Sequence, residues 1–174
     1  NGIAVDKSGN SFITGSFQGD VTFGDTTLSS NGLSDGFITK LDTEGNVQWA
    51  KKFGGTSNEE GLSITVDESE NIYLTGSFED EVKFGNTTLK SAAIDDTDAF
   101  IVKLDKMGMV QWAKQLGSNS FDEGYDIAVN GDSETYVTGS FLDNASIDET
   151  SLNNTGRSDA FLVKLTEEIP EISL

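Results

Sequence analysis

The tetrapeptide TGSF is written three times, at residues 14–17, 75–78 and 138–141. Each copy closes a run rich in aromatic and β-branched residues (SFITGSF, IYLTGSF, TYVTGSF) bounded by turn formers, which reads as a strand. A glycine inside a strand weakens it, and usually marks a bulge or a place where another group comes close. Gly15, Gly76 and Gly139 alternate onto the face of Ile13 and Phe17, Leu74 and Phe78, and Val137 and Phe141. Two readings stay open there. The missing side chain makes room for a bulky group from the next sheet, with Trp49 and Trp112 as the candidates, or the glycine marks a β-bulge.

Working outward, the match extends over most of the chain. Ile3, Ile64 and Ile127 fall in register at steps of 61 and 63 residues, opening the alternations IAVD, ITVD and IAVN. After each TGSF strand comes an insert, VTFGDTTL or VKFGNTTL, with Gly-Asp or Gly-Asn between two small apolar arms, which predicts a minor hairpin. A third strand follows (DGFITKLD, DAFIVKLD, DAFLVKL), and then a fourth (NVQWAKKFGG, MVQWAKQLGS). Phe37, Thr39 and Leu41 alternate with Ile38 and Lys40, and every apolar segment keeps this period of two, with no apolar stripe of helical period and length. The two-residue change of step falls near AAIDD, where a loop is expected.

Four strands in each tandem unit predict an all-β fold, a β-propeller fragment of about three four-stranded antiparallel blades. The units are placed at 1–60, 61–123 and 124–165, the last incomplete, with 166–174 as a linker or the start of a following segment. Three blades do not close a ring, since propellers use roughly four to eight. The expectation is a longer parent chain with blades before Asn1; self-assembly of copies into a ring is the alternative.

Composition narrows the chemistry. Thirty Asp and Glu against 11 Lys and Arg give a net charge of -19, which repels phosphate and argues against nucleic acid and anionic bilayers as partners. The absence of histidine removes the commonest general base, and the absence of cysteine removes disulfides and thiolate sites. No apolar run has the length of a membrane span, so no membrane insertion is expected.

The run GIAVDKSGNSFITGSF, followed by FGDTTL, SDGFITKLD, GNVQWAK and FGG, resembles the SBBP family of bacterial β-propeller repeats, from Asn1 to about Leu165. The resemblance implies a propeller in a bacterial extracellular or cell-surface protein, with no established catalytic activity to carry over. The third copy departs from it: TEEIPEISL, with Pro170, stands where VQWAK is expected. Such a segment resembles those that precede the sorting domain in substrates of bacterial type IX secretion.

Asp35, Asp98 and Asp159 recur just before the third strand. They read either as a rim of carboxylates able to bind cations or sugar hydroxyls, or as turn-fixing acceptors of backbone N–H groups, and their recurrence favours the turn. DKSGN at Asp6 and DTEGN at Asp42 carry the oxygen-rich chemistry of a calcium loop without its full spacing, so calcium is the one cofactor left open beside an ordinary hairpin turn. Catalytic residues are not expected. The leading function is a non-enzymatic binding scaffold, adhesin-like, for a protein or glycan partner. A glycan-active enzyme with Asp or Glu at the channel mouth, and a passenger or spacer, are the alternatives.

Overall fold

The computed structural model describes residues 1–131 and 134–166. The first unit comprises β1 (Gly2–Val5), β2 (Ser11–Phe17), β3 (Asp20–Phe23), β4 (Thr26–Ser29), β5 (Asp35–Leu41) and β6 (Val47–Phe53). Its main sheet runs β1-β2-β5-β6, all antiparallel, and β3-β4 is a separate hairpin let into the β2–β5 connection. The second unit repeats the pattern with β7 (Glu59–Val66), β8 (Ile72–Glu79), β9 (Glu81–Phe84), β10 (Thr87–Lys90), β11 (Thr97–Leu104) and β12 (Val110–Leu116). The third has β13 (Asp122–Val129), β14 (Thr135–Phe141), β15 (Ala145–Ile147), β16 (Thr150–Leu152) and β17 (Asp159–Leu165), with a main sheet of β13-β14-β17. The chain is all-β, consistent with a propeller fragment. Sheets one and two have the expected four strands, and sheet three has three among the described residues. The linker expected at 166–174 lies, from residue 167 on, outside the described residues.

β7 starts at Glu59 and β13 at Asp122, each two residues ahead of the unit starts read from the alternation. The difference has a local cause. Each strand begins on an acid whose side chain turns back onto the preceding loop: Glu59 accepts the Gly55 N–H, and Asp122 accepts the N–H and hydroxyl of Ser118. Polar starts of this kind are invisible to a search for apolar alternation.

The apolar residues form two cores, and each lies between sheets rather than within one. Phe12, Ile38 and Phe53 of the first unit meet Ile64, Leu74, Phe78, Phe84, Phe100 and Val102 of the second. Tyr73, Ile101 and Leu116 of the second meet Ile127, Val137, Phe141, Ile147, Phe161 and Val163 of the third. A twisted sheet with two apolar faces needs a neighbour on each, so stacking is what stabilises the unit.

The repeated tetrapeptide now has a geometric account, and it corrects the tryptophan expectation. Gly15, Gly76 and Gly139 stand directly opposite Phe37, Phe100 and Phe161 of the adjacent strand of the same sheet. A Cβ at Gly15 would come within 2.9 Å of the Phe37 ring, and one at Gly139 within 2.5 Å of Phe161. The phenyl ring covers the glycine from next door. Trp49 and Trp112 lie elsewhere, packed on Phe12 and Tyr73 with ring centroids 6.3 and 6.4 Å apart. The bulge reading is met in the neighbouring strand: Leu62 in β7 and Tyr125 in β13 are the extra residues, and the carbonyls of Glu60 and Glu123 press on Gly76 and Gly139.

Gly61 and Gly124 are glycines at which neighbouring sheets come close. A Cβ at Gly61 would overlap the Thr14 hydroxyl, and one at Gly124 the Thr75 hydroxyl. The threonines of the first two tetrapeptides thus press on the glycine of the next sheet's first strand. Their hydroxyls donate to the carbonyl of the covering phenylalanine, Thr14 to Phe37 at 2.8 Å and Thr75 to Phe100 at 2.7 Å.

Candidate functional site

The chemistry-bearing groups gather along the seams between sheets. Asp35 opens β5 and is fully buried, its Oδ1 accepting the N–H groups of Asn31 and Gly32 at 3.0 and 3.2 Å. Its Oδ2 is 2.8 Å from Lys52 Nζ, which also donates to the Ser29 carbonyl. Glu59, 1% exposed, shares this seam with one carboxylate oxygen, Oε1, lacking a hydrogen bond. Burial pushes the Glu59 carboxyl up to about 7, with the Asp35 and Glu79 charges adding to it, against the Gly55 N–H and Lys52.

The second seam repeats the geometry without the cation. Asp98 and Asp122 are fully buried, and Gln115 stands where the first seam has Lys52. Gln115 Nε2 donates to Asp98 Oδ2, while Asp98 Oδ1 has no partner. Burial, then the charges of Asp96 and Asp122, push Asp98 up to about 8. Asp122 rises to about 6, again chiefly by burial, opposed by its hydrogen bonds from Ser118 and Leu142. Asp96, on the two-residue insertion, is buried, and burial raises its carboxyl against the opposing backbone N–H groups of Thr97, Ala93 and Ala92. The first seam thus pairs Asp35 with Lys52, whereas Gln115 offers Asp98 an uncharged donor, and the buried Asp98 carboxyl, at about 8, keeps its proton at neutral pH.

Of the aspartates read as a carboxylate rim, Asp35 and Asp98 face the interior of the stack, each bonded by the fourth strand of its own sheet. Asp159 is half-buried and accepts the N–H and hydroxyl of Thr155. The residues equivalent in sequence are thus equivalent in position, but the first two are beyond the reach of a ligand in solvent.

The calcium-like turns are satisfied internally. Asp6 Oδ1 accepts the N–H groups of Ser8 and Asn10, both at 2.9 Å, and its Oδ2 takes the Asn10 side chain. Burial would raise the Asp6 carboxyl, but the Asn10 side chain and these N–H groups outweigh it and hold it low. Asp42 is built the same way, lowered first by the Asn46 N–H. Among the described residues no three acidic, histidine or cysteine side chains converge as a metal site.

The surface feature that sequence reasoning missed is an acidic hollow where the first strands of sheets two and three meet. A cavity of about 300 Å³ is lined by Asn58, Glu60, Glu79, Phe121 and Glu123, among others. Phe121 is 48% exposed at its edge. Carboxylates around an aromatic ring suit a cationic group on a partner. The signal that could have found it is the recurrent acid-acid-glycine step, EEG at Glu59 and DEG at Asp122.

With this geometry in view, comparison with known proteins is informative at the level of architecture. No family model matches the chain. It is 29% identical over 154 residues, 80% of its length, to an uncharacterized WD repeat-containing protein of Acanthamoeba polyphaga mimivirus. The chain is a β-propeller-like repeat protein. It is also 28% identical over 110 residues, 62% of its length, to the regulatory protein FlaEY of Caulobacter vibrioides. The match covers 11% of the first relative and 12% of the second, so the chain spans about a tenth of the length of either.

Proposed function

We propose that the chain is a non-enzymatic propeller scaffold of the SBBP type, part of a secreted or cell-surface bacterial protein, whose blades present a binding platform to a protein or glycan. The observation that carries this reading is the recurrence of one interface. Thr14 and Thr75, Ile38 and Ile101, and Ile64 and Ile127 are buried in pairs at the two seams, so the sequence is spent on stacking sheets. Likeness to a WD repeat-containing protein supports a scaffold. The acidic hollow supplies a surface for a basic partner.

The raised carboxyls do not favour a hydrolase, because Asp98 and Asp122 are fully buried between sheets and meet no substrate there. A glycan array and a pull-down with basic peptides, run beside a glycoside hydrolase panel, test the reading. Binding without turnover is expected. Turnover abolished by a single Asp or Glu substitution would replace this reading with an enzymatic one.

A further inference from the structure

The turn between β11 and β12 breaks a rule that three other turns of the chain keep. In DKSGN, DTEGN and DESEN the closing asparagine returns its side chain to the opening aspartate, Asn10 to Asp6, Asn46 to Asp42 and Asn71 to Asp67. The turn at Asp105 reads DKMGM, so Asp105 accepts the N–H groups of Met107 and Met109 but has no side-chain amide at the closing position. The chain has two methionines, and both stand here, 62% and 58% exposed. The turn itself has no need of two exposed apolar side chains.

This turn reaches across to the first sheet. Gly108 lies so close to β6 that an added Cβ would stand 3.1 Å from the Trp49 ring and 3.2 Å from the Lys51 stem, whereas the equivalent Gly45 meets nothing within 4 Å. Lys51 Nζ donates to the Gly108 carbonyl at 2.8 Å and is 3.5 Å from Met109 Sδ. Lys51, Gly108 and Met109 form one wall of a cavity of about 420 Å³ between sheets one and two. Its apolar walls are Ile38, Phe53, Leu74, Phe84, Leu104 and Val110, so every wall lies in the two four-stranded sheets and the turn that joins them. Two ammonium groups border it. Lys52 is taken by Asp35, but Lys51 is held by a carbonyl, a thioether and the face of Trp49, none of which cancels its charge.

We propose that this cavity binds a medium-chain alkyl carboxylate, its chain among Phe53, Phe84 and Val110 and its carboxylate at Lys51. A largely apolar hollow with a few polar groups at its rim is the usual build of a small-molecule site. Methionine suits the mouth, because an unbranched, polarizable side chain adapts to a flexible ligand. The net charge of -19 works against any anion at long range, so the preference for a carboxylate depends on Lys51. This goes beyond the scaffold reading and does not rest on it, since a scaffold needs no ligand between its sheets.

The test uses the full 174-residue protein, isotopically labelled at its methionine methyl groups, whose two NMR signals both report on the mouth of the cavity, with calorimetry for affinity. Sodium decanoate, kept below its micellar range, is expected to shift the Met109 signal saturably. Decylamine, with the same chain and the opposite charge, should bind at least about tenfold more weakly. Lys51→Gln should cut decanoate affinity several-fold. Val110→Phe, which fills the cavity, should abolish binding in a protein of unchanged circular dichroism. Met109→Asn restores the usual closing residue of the turn, so it keeps the fold, and should weaken binding several-fold. Absence of a saturable shift, equal affinity for decylamine, or undiminished decanoate affinity in Lys51→Gln or Met109→Asn overturns the proposal. The scaffold reading is judged separately by the glycan array and pull-down.

Discussion

Buried acids with raised carboxyls sit in both seams, and the residue facing the phenylalanine of the third strand is Lys52 in the first and Gln115 in the second. The acids of the second seam have folded-state values above their unfolded ones, about 8 for Asp98 and about 6 for Asp122. A raised carboxyl contributes its full stability below the unfolded value, about pH 4, and loses it as pH climbs through the folded value. Carboxyls held low, such as Asp6 and Glu134, act oppositely and lose their contribution below about pH 4. Thermal melts should therefore peak near pH 5 and fall by several degrees toward pH 8.5. Gln115→Lys supplies the missing cation, and should raise the pH 8.5 melting temperature while leaving the pH 5 value nearly unchanged. A second residue-scale test concerns Gly61 and Gly124. Alanine at either should cost about 1–3 kcal/mol by denaturant titration through overlap with Thr14 or Thr75. Gly131→Ala, with nothing within 4 Å, should stay within about 0.5 kcal/mol. What was legible at this scale was that the tetrapeptide is packing grammar. Its partner was not, because a period of two gives a side chain's face but not which strand supplies the neighbour.

At the scale of the strand, Phe37 and Phe100 occupy the same place in successive sheets and differ only in what lies beyond. Phe100 is fully buried, 5.4 Å from Phe53 and 4.9 Å from Phe84 between ring centroids. Phe37 is half-buried and touches Phe17 and Phe23 of its own unit. Phe100→Ala should cost about 3–5 kcal/mol and Phe37→Ala less than half as much, measured by chemical denaturation. The strands themselves were readable from alternation and turn residues, down to the hairpin insert at Gly24 and Gly85. The bulges at Leu62 and Tyr125 and the acidic strand starts were not, since a bulge is a matter of register between paired strands and a polar start breaks the apolar alternation. The carboxylate rim fails to be exposed for another reason: sequence shows that Asp35 and Asp98 recur, but only the neighbouring sheet decides that they are buried.

For the whole molecule, stacking explains the pattern of exposure. Ile64 and Ile127 are 5% exposed, but the equivalent Ile3, on the outer face of the first sheet, is 66% exposed. Ile38 and Ile101 are at most 2% exposed, but Leu162, on the outer face of the third, is 73% exposed. Among the described residues only the middle sheet is covered on both faces, so its strands should open last. Hydrogen exchange read by mass spectrometry tests this directly. The account predicts the slowest exchange in β8 and β11 of the middle sheet, with β1 and β17 exchanging orders of magnitude faster. Equal protection of all three sheets, or faster exchange in the middle one, would contradict a fold held together between blades.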